Sequence, residues 1–206
     1  LLNEYATLDQ LKLALTIPSA DTQDDALLLV GLEAASRSID DYTQRRFWQD
    51  PAATSRRYTP TGRLAVWVDD ISTTTGLVVQ TDDNDDGVHE TTWTLGTDFE
   101  LEPVNEFLDS EPVPFSLMRA LRRGNKRLPY YTQYGLKITA RWGWSAVPAR
   151  IKQATLIQAE RLFKRKDSPW GVAGSPEAGN EIRLLARLDP DVEMMIKRYR
   201  RVRGFA

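Results

Sequence analysis

Residues 47–70, FWQDPAATSRRYTPTGRLAVWVDD, mark where the chain changes its periodicity, and with it the structure it can form. Before this stretch apolar residues recur every three to four positions. After it they alternate: in VWVDD, Val66 and Val68 share one face of a strand and Trp67 takes the other, because strand side chains repeat every two residues.

Upstream, TLDQLKLAL places Thr7 and Gln10 at capping-box spacing and Leu8, Leu11 and Leu15 on one helical face, with Pro18 closing the helix. A longer helix follows over DTQDDALLLVGLEAASRSIDDYTQRRF. Asp21 or Thr22 is the expected cap, and Leu28, Leu32, Ala35 and Ile39 are the expected buried stripe. Gly31 inside it suggests a close helix contact. Downstream, SRRYTP, LAVWVDD, GLVVQT, ETTWTL, DFELEP, FSLMRALRR and LKITARWGW read as successive strands of an antiparallel sheet or small barrel, with Trp142 and Trp144 pointing the same way. Helix resumes at VPARIKQATLIQAERLFKRK, with an apolar stripe wide enough for much of its circumference to be buried. A loop over 167–180 follows, and then a final helix in DPDVEMMIKRYRRVRGFA with acids first and bases last. The expected fold is α+β: a helical core from both chain ends (1–50 and 146–206) and an inserted antiparallel β-rich section over 51–145.

The composition, 41% hydrophobic and 27% charged, is that of a soluble globular protein. No apolar run is long enough to cross a bilayer and the first residues lack a signal-peptide pattern, so no membrane partner is expected. There is no cysteine and only one histidine, which removes disulfides, thiolate metal sites, cysteine nucleophiles and a histidine-based zinc site. Residues 148–206 hold 13 Lys and Arg against 7 Asp and Glu, and the remainder 14 against 22. An acidic body with a basic C-terminal part suggests a partner surface.

The stretch TDDNDDGVHETTW (Thr81–Trp93) concentrates acids beside His89. Asp82, Asn84 and Asp86 with Gly87 match the front half of a calcium loop, but its twelfth position is Trp93 and its flanks are strands, so the expected structure is a hairpin tip. His89 on that turn is expected to be solvated, and no serine sits in a nucleophile motif. The acidic pairs Asp24-Asp25, Asp40-Asp41 and Asp69-Asp70 are sequence neighbours whose side chains diverge. No phosphate-binding or dinucleotide fingerprint occurs, and neither an enzyme nor a cofactor is expected. The basic end (Lys197, Arg198, Tyr199, Arg200, Arg201, Arg203 and Phe205) admits three readings: phosphate and base contacts, a solvated helix end, or docking on an acidic protein partner. RALRRGNKR (Arg119–Arg127) is a second basic cluster, expected at a turn.

In this layout the chain resembles the head–tail connector, or adaptor (head completion), proteins of long-tailed bacteriophages. The resemblance lies in YATLDQLKLALTIPSADTQDDALLLVGLEAASRSIDDYTQRRF and WGWSAVPARIKQATLIQAERLFKRKDSPWGVAG. It extends to the hairpin TDDNDDGVHETTWTLGTDFELEP, which is similar to one in adaptors of phages infecting actinobacteria. It implies a structural virion protein of the head–tail interface, assembled in the host cytoplasm, with about twelve copies in a homo-oligomeric ring. The ring would lie under the portal protein, bind the downstream neck (stopper) or tail protein, and pass double-stranded DNA through its channel without reading its sequence. Carried over by position, the portal-binding segment is Lys197, Arg198, Tyr199, Arg200, Arg201, Arg203 and Phe205. The alternative from a different class is a nucleic-acid-binding module acting through the basic C-terminal helix.

Overall fold

The structure is a computed structural model and describes residues 3–105, 107–108, 111–167, 172–173, 182–183 and 188–201. It is an α+β fold of helices and a six-stranded antiparallel sheet. The chain divides into two compact units, one drawn from residues up to Arg45 and from Val147 to Arg201, the other from Arg46–Ala146.

In the helical unit, α1 (Leu8–Ala14) starts on the expected capping box: Gln10 N donates to Thr7 Oγ1 (3.2 Å) and Thr7 N to Gln10 Oε1 (3.0 Å). Leu11 is fully buried, with Leu8 and Leu15 packed against the same cluster. Lys12 lies on that face too and is only 3% exposed. Its ammonium donates to the carbonyls of Asp21 (2.7 Å) and Ser19 (3.3 Å) and pairs with Asp25 at 2.5 Å, which pins the loop into the next helix.

That helix, α2 (Asp25–Thr43), begins later than the sequence suggested, with Asp24 at the cap. Asp21 instead accepts from Gln23 N in the preceding turn, and its carbonyl is held by Lys12. Leu28, Leu32, Ala35 and Ile39 are all fully buried, as their spacing required. Gly31 faces Ala159 of α3 (Ala149–Lys164), 3.7 Å from the Ala159 carbonyl to where a Cβ would stand. The two helices run antiparallel, since Lys166 just beyond α3 pairs with Asp24 just before α2. In α3, Ile151, Ala154, Thr155, Gln158 and Ala159 are buried, Ala149, Arg150, Lys152, Gln153 and Lys164 are exposed, and the remaining residues lie between.

The last helix, α4 (Pro190–Ile196), is capped by Asp189, which also pairs with Arg161 of α3. It does not run on through the basic residues as expected. One 3-10 turn over Lys197–Tyr199 turns the Tyr199 ring into the core, and Arg200 is extended. Arg201 N then bonds Thr43 O. Burying an aromatic ring outweighs the one or two helical hydrogen bonds forgone.

The β unit holds β1 (Thr54–Tyr58), β2 (Ala65–Thr81), β3 (Thr91–Trp93), β4 (Phe99–Glu102), β5 (Phe107–Leu108), β6 (Glu111–Pro112), β7 (Phe115–Ala120) and β8 (Leu136–Trp142). The main sheet has the order β1-β8-β2-β7-β4, with β3 beside β2, and β5 pairs with β6 in a separate two-stranded arm. LAVWVDD and GLVVQT are not separate strands. They are the two halves of the 17-residue β2, because the β-branched Thr73, Thr74 and Thr75 keep the backbone extended between them. Register shifts between Ile71 and Val78 bend it, with Gly76 at φ +75°. Its first half pairs with β7 and its second with β8 and β3. Val66, Val68, Ile71, Met118, Leu136, Ile138 and Trp142 form the core of this unit.

Trp142 and Trp144 part company. The strand ends at Trp142, and Gly143 at φ +100° turns the chain, so the period of two no longer applies. Trp144 packs on Phe47, ring centroids 5.2 Å apart, and its indole donates to Asp70. Most of the expected loop at 167–180 lies outside the described residues. Within it β9 (Val172–Ala173) pairs with β10 (Ile182–Arg183).

Candidate functional site

Residues 82–90 connect β2 to β3 as a hairpin. The Asp82 side chain organises the turn: Oδ1 accepts from Asp85 N (2.8 Å) and Asp86 N (3.3 Å), and Oδ2 from Gly87 N (2.8 Å). Asp85 at φ +63° and Gly87 at φ +87° supply the left-handed geometry. Burial disfavours the Asp82 carboxylate, but the amides of Gly87, Asp85 and Asp86 outweigh it and hold its pKa below the usual value. Asp82, Asp86 and Glu90 bring carboxylate oxygens within 4.8 Å of one another, whereas Asn84 donates its amide to Asp86 Oδ2 (3.1 Å). Asp86 Oδ1 in turn accepts from Val88 N (2.8 Å). His89 is half-buried rather than solvated, its Nε2 lying 2.9 Å from Tyr134 O. The tip is therefore tied to the 128–135 loop.

Two of the acidic pairs diverge, and in the first Asp24 pairs with Lys166 and Asp25 with Lys12. Asp69 pairs with Arg56 (2.9 Å) and accepts from Tyr58, while Asp70 is buried against the Trp144 indole. The second basic cluster is a turn, as expected, and much of its charge is used internally. Lys126 bonds Thr92 O (2.6 Å) and Asp98 (2.9 Å), and Arg127 bonds the Gly124 and Lys126 carbonyls. The hydrogen bond from Lys126, then that from Thr94 N, hold the Asp98 carboxyl below its usual pKa.

Sequence reasoning passed over a surface of exposed tyrosine and arginine. Tyr131 is 82% and Tyr134 52% exposed. The Arg63 guanidinium lies 4.9 Å from the Tyr130 ring centroid and that of Arg57 5.8 Å from Tyr134. Three tyrosines within the five residues 130–134 were the available clue, since such density in a loop has no core to fill.

At the C-terminal end the structure separates residues that the sequence had grouped. Lys197, Arg198 and Arg200 are exposed, whereas Tyr199 is 1% exposed and unavailable to stack on a base or a partner. Arg201 is half-buried, and Arg203 and Phe205 lie outside the described residues.

No protein-family model and no curated protein matches the sequence. Solved structures do resemble it end to end. One chain from the neck of an empty GTA particle, computed with C6 symmetry, superposes with a TM-score of 0.56 at 19% identity, over 99% of this chain and 93% of that one. A chain from the neck of a native GTA particle, computed with C12 symmetry, gives 0.51 at 22% identity over the same shares. A third, from the virion of a native gene transfer agent particle, gives 0.53 at 20% identity, over 100% and 94%. The fold of this chain, over nearly its whole length, is one also found in chains of gene transfer agent necks and virions.

Proposed function

We propose that this protein is a structural component of a virion neck, a head–tail adaptor. Its copies form a ring under the portal, extend the DNA channel, and link the head to the next neck or tail protein. The observation that carries the reading is the end-to-end likeness to neck chains, which takes in both the helical and the β unit. The C6 and C12 symmetry of those particles agrees with a ring. An acidic body suits a channel that must not hold its cargo, because phosphate contacts dominate protein–DNA affinity. The role is mechanical and needs no catalytic constellation.

The portal contact falls on exposed Lys197, Arg198 and Arg200 together with Arg203 and Phe205, and Tyr199 anchors the segment from inside. To test this, the purified chain is mixed with the portal protein of its own particle and weighed by mass photometry. A mass step corresponding to a ring of copies is expected, and it should vanish when Lys197 and Arg200 are both changed to Glu. No step with the intact chain refutes the adaptor reading. A step that survives the charge reversal removes the portal contact from this segment.

A further inference from the structure

Residues 1–147 hold 14 Lys and Arg against 22 Asp and Glu, yet two segments within them run the other way. Segments 57–64 and 121–135 carry Arg57, Arg63, Arg122, Arg123, Lys126 and Arg127 and no acid. Hydrogen bonds join the two into one surface. Leu128 N donates to Arg63 O (3.0 Å) and Tyr134 N to Thr59 Oγ1 (2.9 Å). The Arg127 guanidinium closes the 121–127 turn on the Gly124 and Lys126 carbonyls, at 2.8 and 2.7 Å.

Of the six cations only Lys126 has a carboxylate partner among the described residues, Asp98. The five arginines are exposed, and none pairs with a carboxylate among the described residues. Arg57 also stands directly opposite Lys137 on β8. Like charges at such a position cost stability unless something negative relieves them.

Three tyrosines stand among the cations. Arg63 and Arg57 lie beside the rings of Tyr130 and Tyr134. Tyr131 leans on Tyr130, ring centroids 3.6 Å apart, and leaves most of its own ring in water. Cations interleaved with exposed rings suit phosphates and bases. A protein partner would call for an apolar centre as well. These two segments lack one: Leu64, Leu121 and Pro129 are half-buried, Leu128 is buried, and the exposed rings of Tyr131 and Tyr134 are amphipathic.

We propose that this face of the β unit binds nucleic acid, with Arg57, Arg63 and Arg122 on backbone phosphates and Tyr131 stacked on an unpaired base. The contact does not use the basic C-terminal residues and does not depend on the adaptor reading. The acid-rich remainder of residues 1–147 confines it to this face.

The test is fluorescence anisotropy of the full chain with a labelled oligothymidylate of about 16 nucleotides, and with a duplex of the same length, over a range of salt. The single strand should bind, and log Kd should rise with log salt by about 0.7 for each phosphate contacted. Arg63→Ala/Arg122→Ala should lower that slope by about 1.4 and weaken the binding of single strand and duplex alike. Tyr131→Ala should weaken the single strand by about 5- to 150-fold and leave the duplex unchanged. All three residues are exposed, so the circular dichroism spectrum should not change. The proposal is overturned by no binding at low salt, by binding that survives the arginine change, or by Tyr131→Ala acting equally on single strand and duplex. Binding lost with Lys197→Glu/Arg200→Glu instead overturns it in favour of the C-terminal residues. Displacement of the oligonucleotide by polyglutamate at equal charge overturns it in favour of an acidic protein partner.

Discussion

Replacing Gly143 by Ala is the sharpest probe of how the β unit is locked. At φ +100° an L side chain is strained, and a Cβ built there would lie 1.8 Å from the Trp48 carbonyl oxygen and 2.9 Å from its carbon. Neither obstacle is the flexible end of a side chain. Trp48 O accepts from Trp144 N (3.2 Å), Gly143 N donates to Asp70 O (2.7 Å), and Asp50 N donates to Trp142 O (2.8 Å). Relief therefore has to break pairings that fix three segments. The strained φ costs about 1–2 kcal/mol, overpacking about 1–3, and a lost buried hydrogen bond about 1. The total is about 3–6 kcal/mol, a large share of a typical domain stability of about 5–15. Five of the six tryptophans (Trp48, Trp67, Trp93, Trp142 and Trp144) fall between Arg46 and Ala146, so tryptophan fluorescence during urea unfolding reports mainly on this unit. The midpoint should fall steeply at unchanged slope. A loss below about 1 kcal/mol would show that the backbone yields far more easily than its hydrogen bonds imply.

Gly31→Ala should act in the opposite sense. A Cβ there meets Ala159 O at an ordinary 3.7 Å, and the gain in helix propensity of about 0.5–1 kcal/mol should raise the midpoint followed by far-ultraviolet circular dichroism. Lys12→Ala leaves Asp25 without its buried partner and frees the Ser19 and Asp21 carbonyls, at a cost of about 3 kcal/mol in the same assay. Asp98 and Glu102 both have pKa values lowered in the folded chain, Asp98 first by its hydrogen bond from Lys126 and Glu102 by that from Arg119. Their contribution to stability is therefore present above the unfolded carboxylate pKa of about 4 and is lost as pH falls through the lower folded values. Asp98→Asn should flatten that acid-side decline in a pH series of urea midpoints.

What was legible in the sequence was local. The Thr7–Gln10 box and the Leu28, Leu32, Ala35 and Ile39 stripe depend on residues a turn or two apart, so spacing alone settles them. The α+β class followed from the change of period near residue 54. What escaped depends on partners far away in the chain. Lys12 reads as a surface lysine until the loop carbonyls 7 and 9 residues on close over it. Tyr199 reads as a partner contact until the helical core takes up its ring. The single bent β2 reads as two strands, because only its different pairings with β7 and β8 reveal a bend in place of a break. At the acidic tip the sequence pointed to Asp82, Asn84 and Asp86. It could not foresee that Asp82 spends both oxygens on amides or that His89 reaches Tyr134.

The helical unit is stitched from segments separated by the whole β unit, and this sets an order of events during synthesis. Leu28, Leu32 and Ile39 emerge from the ribosome more than a hundred residues before Ile151 and Ala159 arrive to complete the helical unit. At about 5–20 residues per second, the 156 residues from Arg45 to Arg201 take about 8–30 s to make. Throughout that interval the α2 stripe lacks its α3 partner and is covered only where α1 packs on it. The β unit lies between Arg46 and Ala146 and can close first, which brings the two helical halves within reach of each other. Translation speed and chaperone supply are therefore expected to weigh more on the helical unit than on the sheet.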